Sequence, residues 1–174
     1  NTIDVNITDL AGNSAAASDW VVSDTIAPMF INVTALPTIA NISSTISISF
    51  TSSETLIANP TLNVGSNSAA YQSNVGNDYT YTYSVTGLEG DGTHVINISG
   101  SDMASNSGYN DTNSVFIDTI NPVATITSPL GGTVNTALVQ FTLTDDSGSG
   151  VNISSIAVSG LASSFSAANC TGTF

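Results

Sequence analysis

Lysine and arginine are absent from all 174 residues, against 13 aspartates and glutamates, so the chain carries a formal charge of −13. Without cationic side chains it has nothing to neutralise phosphates, which excludes nucleic acid and anionic membrane as partners. Divalent cations are its natural counter-ions. Charge of either sign is scarce, at 7% of residues, against roughly 25% in an ordinary globular domain. Surface polarity must come from Ser, Thr and Asn, a composition that suits an extracellular, cell-surface setting. The one histidine, His94, has no second imidazole and no thiolate cluster with which to build a zinc site, and it reads as a strand residue. The one cysteine, Cys170, has no internal partner. Two readings of it stay open: a bridge to a thiol outside this segment or on another subunit, or a small buried residue. No apolar run reaches the roughly 18 residues of a membrane-spanning helix. No segment has the pattern of a secretory leader, so the chain reads as a mature product or an excised piece.

What the chain does have is a phrase that occurs twice. Asp9-Leu10-Ala11-Gly12-Asn13, then Asp24-Thr25-Ile26-Ala27-Pro28, returns about 94 residues later as Asp102-Met103-Ala104-Ser105-Asn106, then Asp118-Thr119-Ile120-Asn121-Pro122. A period of that length matches one small sandwich domain rather than a solenoid unit. The chain therefore reads as a stretch of a tandem array.

Around these phrases apolar residues alternate with polar ones, as on half-buried strands. Ile3, Val5 and Ile7 share a face, as do Met29, Ile31 and Val33; Ile46, Ile48 and Phe50; Tyr79, Tyr81, Tyr83 and Val85; and Ile96 with Ile98. Clusters of Gly, Asn, Asp and Ser at 65–67, 76–78, 89–92, 131–132 and 145–150 supply the turns. No segment carries a helical period. With 41% hydrophobic residues there is enough apolar surface for a core in each domain of about 90 residues.

These patterns predict an all-β fold of tandem antiparallel sandwiches. A complete domain is expected at 26–119, flanked by the last two strands of a partial domain at 1–25 and the first strands of another at 120–174. In the complete domain seven strands are expected, near 29–34, 45–51, 60–65, 69–73, 79–86, 93–100 and 112–118. Ile31, Ile48, Phe50, Ile96, Ile98 and Phe116 should turn inward. The tyrosine row Tyr79, Tyr81 and Tyr83, and Trp20, read as core rather than as a platform for sugar.

The repeated phrase, with its strand ending Asp-Thr-x-x-Pro and the apolar strand that follows, resembles the immunoglobulin-like repeats of prokaryotic surface proteins, namely bacterial adhesin stalks and archaeal envelope proteins. The segment Pro122-Val123-Ala124-Thr125-Ile126-Thr127-Ser128-Pro129, followed by Gly131-Gly132-Thr133-Val134-Asn135, is similar to the archaeal versions in particular. Ser105 stands where that phrase usually has Gly, so the second turn must hold a left-handed residue without its customary glycine or avoid one.

The resemblance implies an immunoglobulin-like topology, in which the loops after the second and sixth strands meet the incoming linker. Three acids then converge at each junction: Asp24, Glu54 and Asp102 at the first, and Asp118 with the pair Asp145 and Asp146 at the second. Calcium takes about six to eight oxygen ligands, and the resembling stalks carry it at such junctions, so a Ca²⁺ that stiffens the linker is the expected cofactor. A plainer reading stands beside it, in which Asp9 and Asp102 organise Asx-type turns and Asp24 and Asp118 are solvated.

Seven Asn-x-Ser/Thr sequons occur, at Asn6, Asn32, Asn41, Asn97, Asn110, Asn152 and Asn169. Asn6, Asn32, Asn97 and Asn152 sit between apolar strand residues, so alternation turns them to solvent, where N-linked glycans would cover a nearly uncharged surface. An enzyme is not expected. No Ser-His-Asp set assembles, no cation exists to stabilise developing negative charge, and no glycine-rich phosphate loop leads from a strand into a helix. Adjacent in a Ser/Gly turn, Asp145 and Asp146 look like ion ligands or turn formers rather than a glycosidase pair. The expected job is structural: a surface layer, sheath, stalk or filament whose copies or domains associate, through a longer chain or by strand donation. The alternative is an adhesin or carbohydrate-binding module, which would display a patch of exposed aromatics.

Overall fold

Alternating side chains make strands, and thirteen form among the described residues. The computed structural model describes residues 1–128, 130–131, 139–145 and 148–158. β1 (Thr2–Thr8) and β2 (Ser14–Trp20) form a hairpin. Then come β3 (Phe30–Leu36), β4 (Ile39–Ala40), β5 (Thr45–Ser52), β6 (Thr61–Val64), β7 (Asn67–Ser68), β8 (Ala70–Val75), β9 (Asp78–Ser84), β10 (Gly92–Ser101) and β11 (Ser107–Ile117). A second hairpin pairs β12 (Val123–Ser128) with β13 (Gln140–Thr144), and a single 3-10 turn follows at Ile153–Ser155. There is no α-helix among the described residues.

Between residues 30 and 117 the strands form a four-stranded sheet in the order β3-β5-β9-β8 and a five-stranded sheet in the order β4-β11-β10-β6-β7. Both contribute to one buried cluster, as in a β-sandwich. Ile46, Ile48, Phe50, Tyr79, Tyr81 and Tyr83 come from the first sheet, and Leu62, Val64, Ile96, Ile98, Val115 and Ile117 from the second. Ile48 and Ile98 are wholly buried while Ser47 between its neighbours is exposed, the alternation that a one-residue slip would reverse. The tyrosine row lies in this core. The Phe50 ring stacks on Tyr79 and Tyr81 at 5.5 and 5.8 Å between centroids. The hydroxyls find partners at the edge of the core, Tyr81 donating to the Pro60 carbonyl and Tyr83 to Glu89 Oε1 at 2.6 Å.

Three residues expected in the core are not buried. Ile31 is 44% exposed, because a bulge between Ile31 and Thr34 shifts the register of β3. Asn32 takes φ 54° there, so Phe30 is buried and Val33 and Ala35 pack against the core instead. Phe116 is only half-buried, since Val115 and Ile117 hold the inward positions at the end of β11. Trp20 is 74% exposed. Counted back from Asp24 it occupies the place that Ser114 holds before Asp118, and Ser114 also faces solvent.

Nine strands rather than seven fall within 26–119 because the first is divided. β3 joins one sheet, and β4 crosses to the other, where it pairs in parallel with β11, an exception to the antiparallel pattern. The two-residue β7 is the other addition. The flanking hairpin β1–β2 is exposed at every position. Ile3 and Val5 precede Asp9 by the same steps that Ile96 and Ile98 precede Asp102, yet they are each 55% exposed where their counterparts are fully buried.

Candidate functional site

The twice-occurring phrase makes the same loop twice. In the first hairpin, Asp9 Oδ1 accepts from the backbone N–H groups of Ala11 and Asn13 at 2.9 and 2.8 Å, and Asp9 Oδ2 accepts from Asn13 Nδ2 at 2.8 Å. Between β10 and β11, Asp102 Oδ1 accepts from Ala104 and Asn106 N–H, both at 2.8 Å, and Oδ2 from Asn106 Nδ2 at 2.7 Å. Each loop needs one left-handed residue. Gly12 fills it at φ 90°, and Ser105 fills the equivalent place at φ 70° despite its Cβ. The bonds from the side chain and backbone of Asn13 hold the Asp9 carboxyl below its ordinary pKa. At Asp102 burial opposes ionisation, but the bonds from Asn106 and Ala104 outweigh it and the pKa is again lowered.

The loops differ in what surrounds them. Asp9 is exposed, whereas Asp102 is 1% exposed. The segment just before β3 packs over the second loop. Asn106 Nδ2 donates to the carbonyl of Asp24 at 3.2 Å, Met29 N–H donates to Ser53 Oγ at 2.9 Å, and Ser53 N–H to the Met29 carbonyl at 2.9 Å. From the other side, Leu56 bridges to Asp102 and Ile57 N–H donates to the Ser101 carbonyl at 2.9 Å.

The linker, the 53–60 loop and the 102–106 loop thus meet, and they bring together Asp24, Glu54 and Asp102. One carboxylate oxygen from each lies within 4.8 Å of the others. Partial burial raises the pKa of Glu54, and the charges of Asp102 and then Asp24 raise it further. Asp24 Oδ1 also accepts from Ile26 N–H at 3.0 Å, which keeps its carboxylate at the start of the linker. Three carboxylates with no cation among the side chains make an oxygen-rich site suited to a hard divalent ion. The structure thus brings together the three acids expected to converge at this junction.

At the second junction Asp118 and Asp145 line one cleft with Asn41, Ile42, Asn121 and Pro122. Asp118 is 8% exposed, and its Oδ1 accepts from Ile120 N–H at 3.1 Å, the counterpart of the bond between Asp24 and Ile26. Asp145 Oδ2 accepts from Gly150 N–H at 2.7 Å. Asp146, Asn169 and Cys170 lie outside the described residues.

Sequence reasoning missed the acids of the 86–92 loop. Asp91 Oδ1 accepts from Thr119 N–H and Oγ1 at 2.6 and 2.7 Å, tying down the outgoing linker. Glu89 collects the Tyr83 hydroxyl, Thr86 N–H and Oγ1, and Gly87 N–H at 2.6 to 3.0 Å. Burial works against its charge, but these donors pull its pKa down to about 2, and burial with that bond raises Tyr83 to about 12. The signal available was only Glu-Gly-Asp-Gly, a turn.

The sequons fall into two groups. Asn6, Asn32, Asn41 and Asn152 are exposed. Asn97 and Asn110 are half-buried: Asn97 Nδ2 donates to the Gly65 carbonyl at 3.3 Å and its Oδ1 accepts from the Tyr109 hydroxyl at 2.7 Å, while Asn110 Nδ2 donates to the Phe30 carbonyl at 2.8 Å. His94 is the third residue of β10, and its Nε2 bonds the Gly90 carbonyl at 2.9 Å. Among the described residues the exposed aromatics, Trp20, Tyr71 and Tyr109, lie on three separate sheets. A comparison with protein-family models finds no match, and a comparison with curated proteins finds none either.

Proposed function

We propose that the chain is part of an extracellular structural array of tandem immunoglobulin-like domains, glycosylated, with Ca²⁺ bound at the junctions between domains. The observation that carries this reading is the convergence of Asp24, Glu54 and Asp102 where the linker from one copy of the repeat enters the next. A cation there would offset the repulsion that raises the Glu54 pKa, and it would cross-link the linker to two loops of the following domain. Bending at the junction would then have to break ligand bonds. Asp118 and Asp145 are the corresponding ligands at the second junction, with Asp146 beside them in sequence.

The order β3-β5-β9-β8 against β4-β11-β10-β6-β7 supports the immunoglobulin-like topology, including a first strand shared between sheets. The repeated loop supports the tandem arrangement. Placement of the exposed aromatics on three different sheets, among the described residues, favours a structural repeat over an adhesin or sugar-binding module, which needs a continuous aromatic patch. The exposed apolar faces of β1–β2 support self-association, in which strands of a neighbouring domain or copy cover positions that are core in the complete repeat. Labelling intact native cells with an antibody raised against residues 26–119 tests the surface assignment. Label on the cell exterior is expected, and label confined to the interior contradicts it.

A further inference from the structure

We propose that the folded chain accepts an N-linked glycan at Asn32 and refuses one at Asn97 and Asn110, although all three carry the sequon. The inference rests on the reading of the chain as a glycosylated surface protein and names where that surface is modifiable. Transfer requires the Asn amide nitrogen to attack C1 of a sugar carried on a lipid diphosphate. The Nδ2–C1 bond forms as the C1–O bond breaks, the amide nitrogen gives up one proton, and the lipid diphosphate leaves with the bonding electrons. An amide held by the protein cannot rotate into that geometry without first breaking its bond.

Asn32 is free to do so. Its side chain is exposed and has no hydrogen-bond partner among the described residues. It sits in the β3 bulge at φ 54°, where the ladder to β5 skips from Ile31 to Thr34. Asn tolerates this left-handed conformation better than most residues, and the skipped pairing leaves Asn32 and Val33 out of the ladder to β5. The hydroxyl that completes the sequon, Thr34 Oγ1, is also exposed, sharing a 2.7 Å hydrogen bond with Ser49 Oγ.

The other two amides are structural. Asn110 Nδ2 donates to the Phe30 carbonyl, and Asn113 Nδ2 does the same for Val33 at 3.1 Å, so that β11 covers carbonyls on the free edge of β3 just beside Asn32. Asn97 is held at both ends, by Gly65 and Tyr109. The three sequons lie within one domain but offer one reactive amide.

The test treats the folded chain with a purified oligosaccharyltransferase and a lipid-diphosphate oligosaccharide, and reads occupancy at each site by mass spectrometry. Asn32 should be modified at least about tenfold faster than Asn97 or Asn110, the factor set by breaking a net hydrogen bond of about 1.4 kcal/mol. Unfolding the chain should bring the three rates together. Comparable rates at the three sites in the folded chain, or no transfer to Asn32, overturn the proposal. Native material bears on the other reading separately: transfer to Asn32 in the purified reaction, with native protein bare at every sequon, leaves the site assignment standing and removes glycosylation from the proposed function.

Discussion

The side-chain amide of Asn106 donates to the backbone carbonyl of Asp24 at 3.2 Å, across 82 positions of sequence. The same amide donates to Asp102 at 2.7 Å, so one side chain braces the turn and anchors the linker. Asn13, its counterpart, has only the turn-bracing bond, to Asp9 at 2.8 Å. Replacing Asn106 by Ala is expected to cost about 1–3 kcal/mol, because buried Asp102 loses its side-chain donor, while the backbone N–H of residue 106 stays, and the linker loses its anchor. Asn13→Ala, in an exposed loop, should cost under about 1 kcal/mol. Urea melts of the two variants check the difference.

Glu54 should oppose folding when no cation is bound. Its folded pKa is raised, so what it contributes to stability is fully present below the ordinary carboxyl pKa and is lost as pH rises through the raised value. In chelator at pH 7, Glu54→Gln should therefore melt above the parent chain. In calcium the order should narrow or reverse. Thermal melts of both proteins under both conditions decide it.

Glu89 titrates with the opposite sign. Its folded pKa of about 2 lies below the ordinary 4.5, so its contribution is present above pH 4.5 and is lost as pH falls toward 2. Allowing for its partial exposure, about 1–2 kcal/mol is at stake. Glu89→Gln should remove that part of the acid dependence, and Tyr83→Phe should shrink it by taking away the strongest donor. Denaturant midpoints followed from about pH 6 down to about pH 2 read the progressive loss.

Gly108 is required by the linker rather than by its own strand. A Cβ there would lie 1.9 Å from the Pro28 carbonyl oxygen, so any side chain must displace backbone. Gly108→Ala is expected to destabilise the domain by about 1–3 kcal/mol and to expose residues 24–29 to protease. Limited proteolysis followed by mass spectrometry would show the new cleavage.

Most of this architecture was legible because period-two alternation is a strong signal wherever one face is buried. Ile46, Ile48 and Phe50, the tyrosine row, and Ile96 with Ile98 all lie inward as the pattern requires. It failed where the backbone departs from regular pleating. The bulge at Asn32 reversed the faces of β3, and nothing in Met-Phe-Ile-Asn-Val distinguishes a bulge from a straight strand. Trp20 has the residue type of a core position but stands at the place of Ser114 in the repeat, which faces solvent. The junction triad was legible only through the resemblance, whose topology brings the linker to the loops that hold Glu54 and Asp102. The Glu89 cluster was not legible, since two of its donors are backbone N–H groups that any sequence supplies, and nothing in the sequence points the Tyr83 hydroxyl at a residue in the next turn.

The most direct test of a cation-stiffened junction is the melting temperature of the intact chain in chelator and in calcium, with Asp102→Asn beside it. Calcium at about 10 mM should raise the melting temperature by several degrees, given the roughly 0.1–1 mM dissociation constants of extracellular sites and the stabilisation that binding to the folded state alone confers. Asp102→Asn should abolish most of that rise. An unchanged melting temperature between chelator and calcium would contradict the metal site.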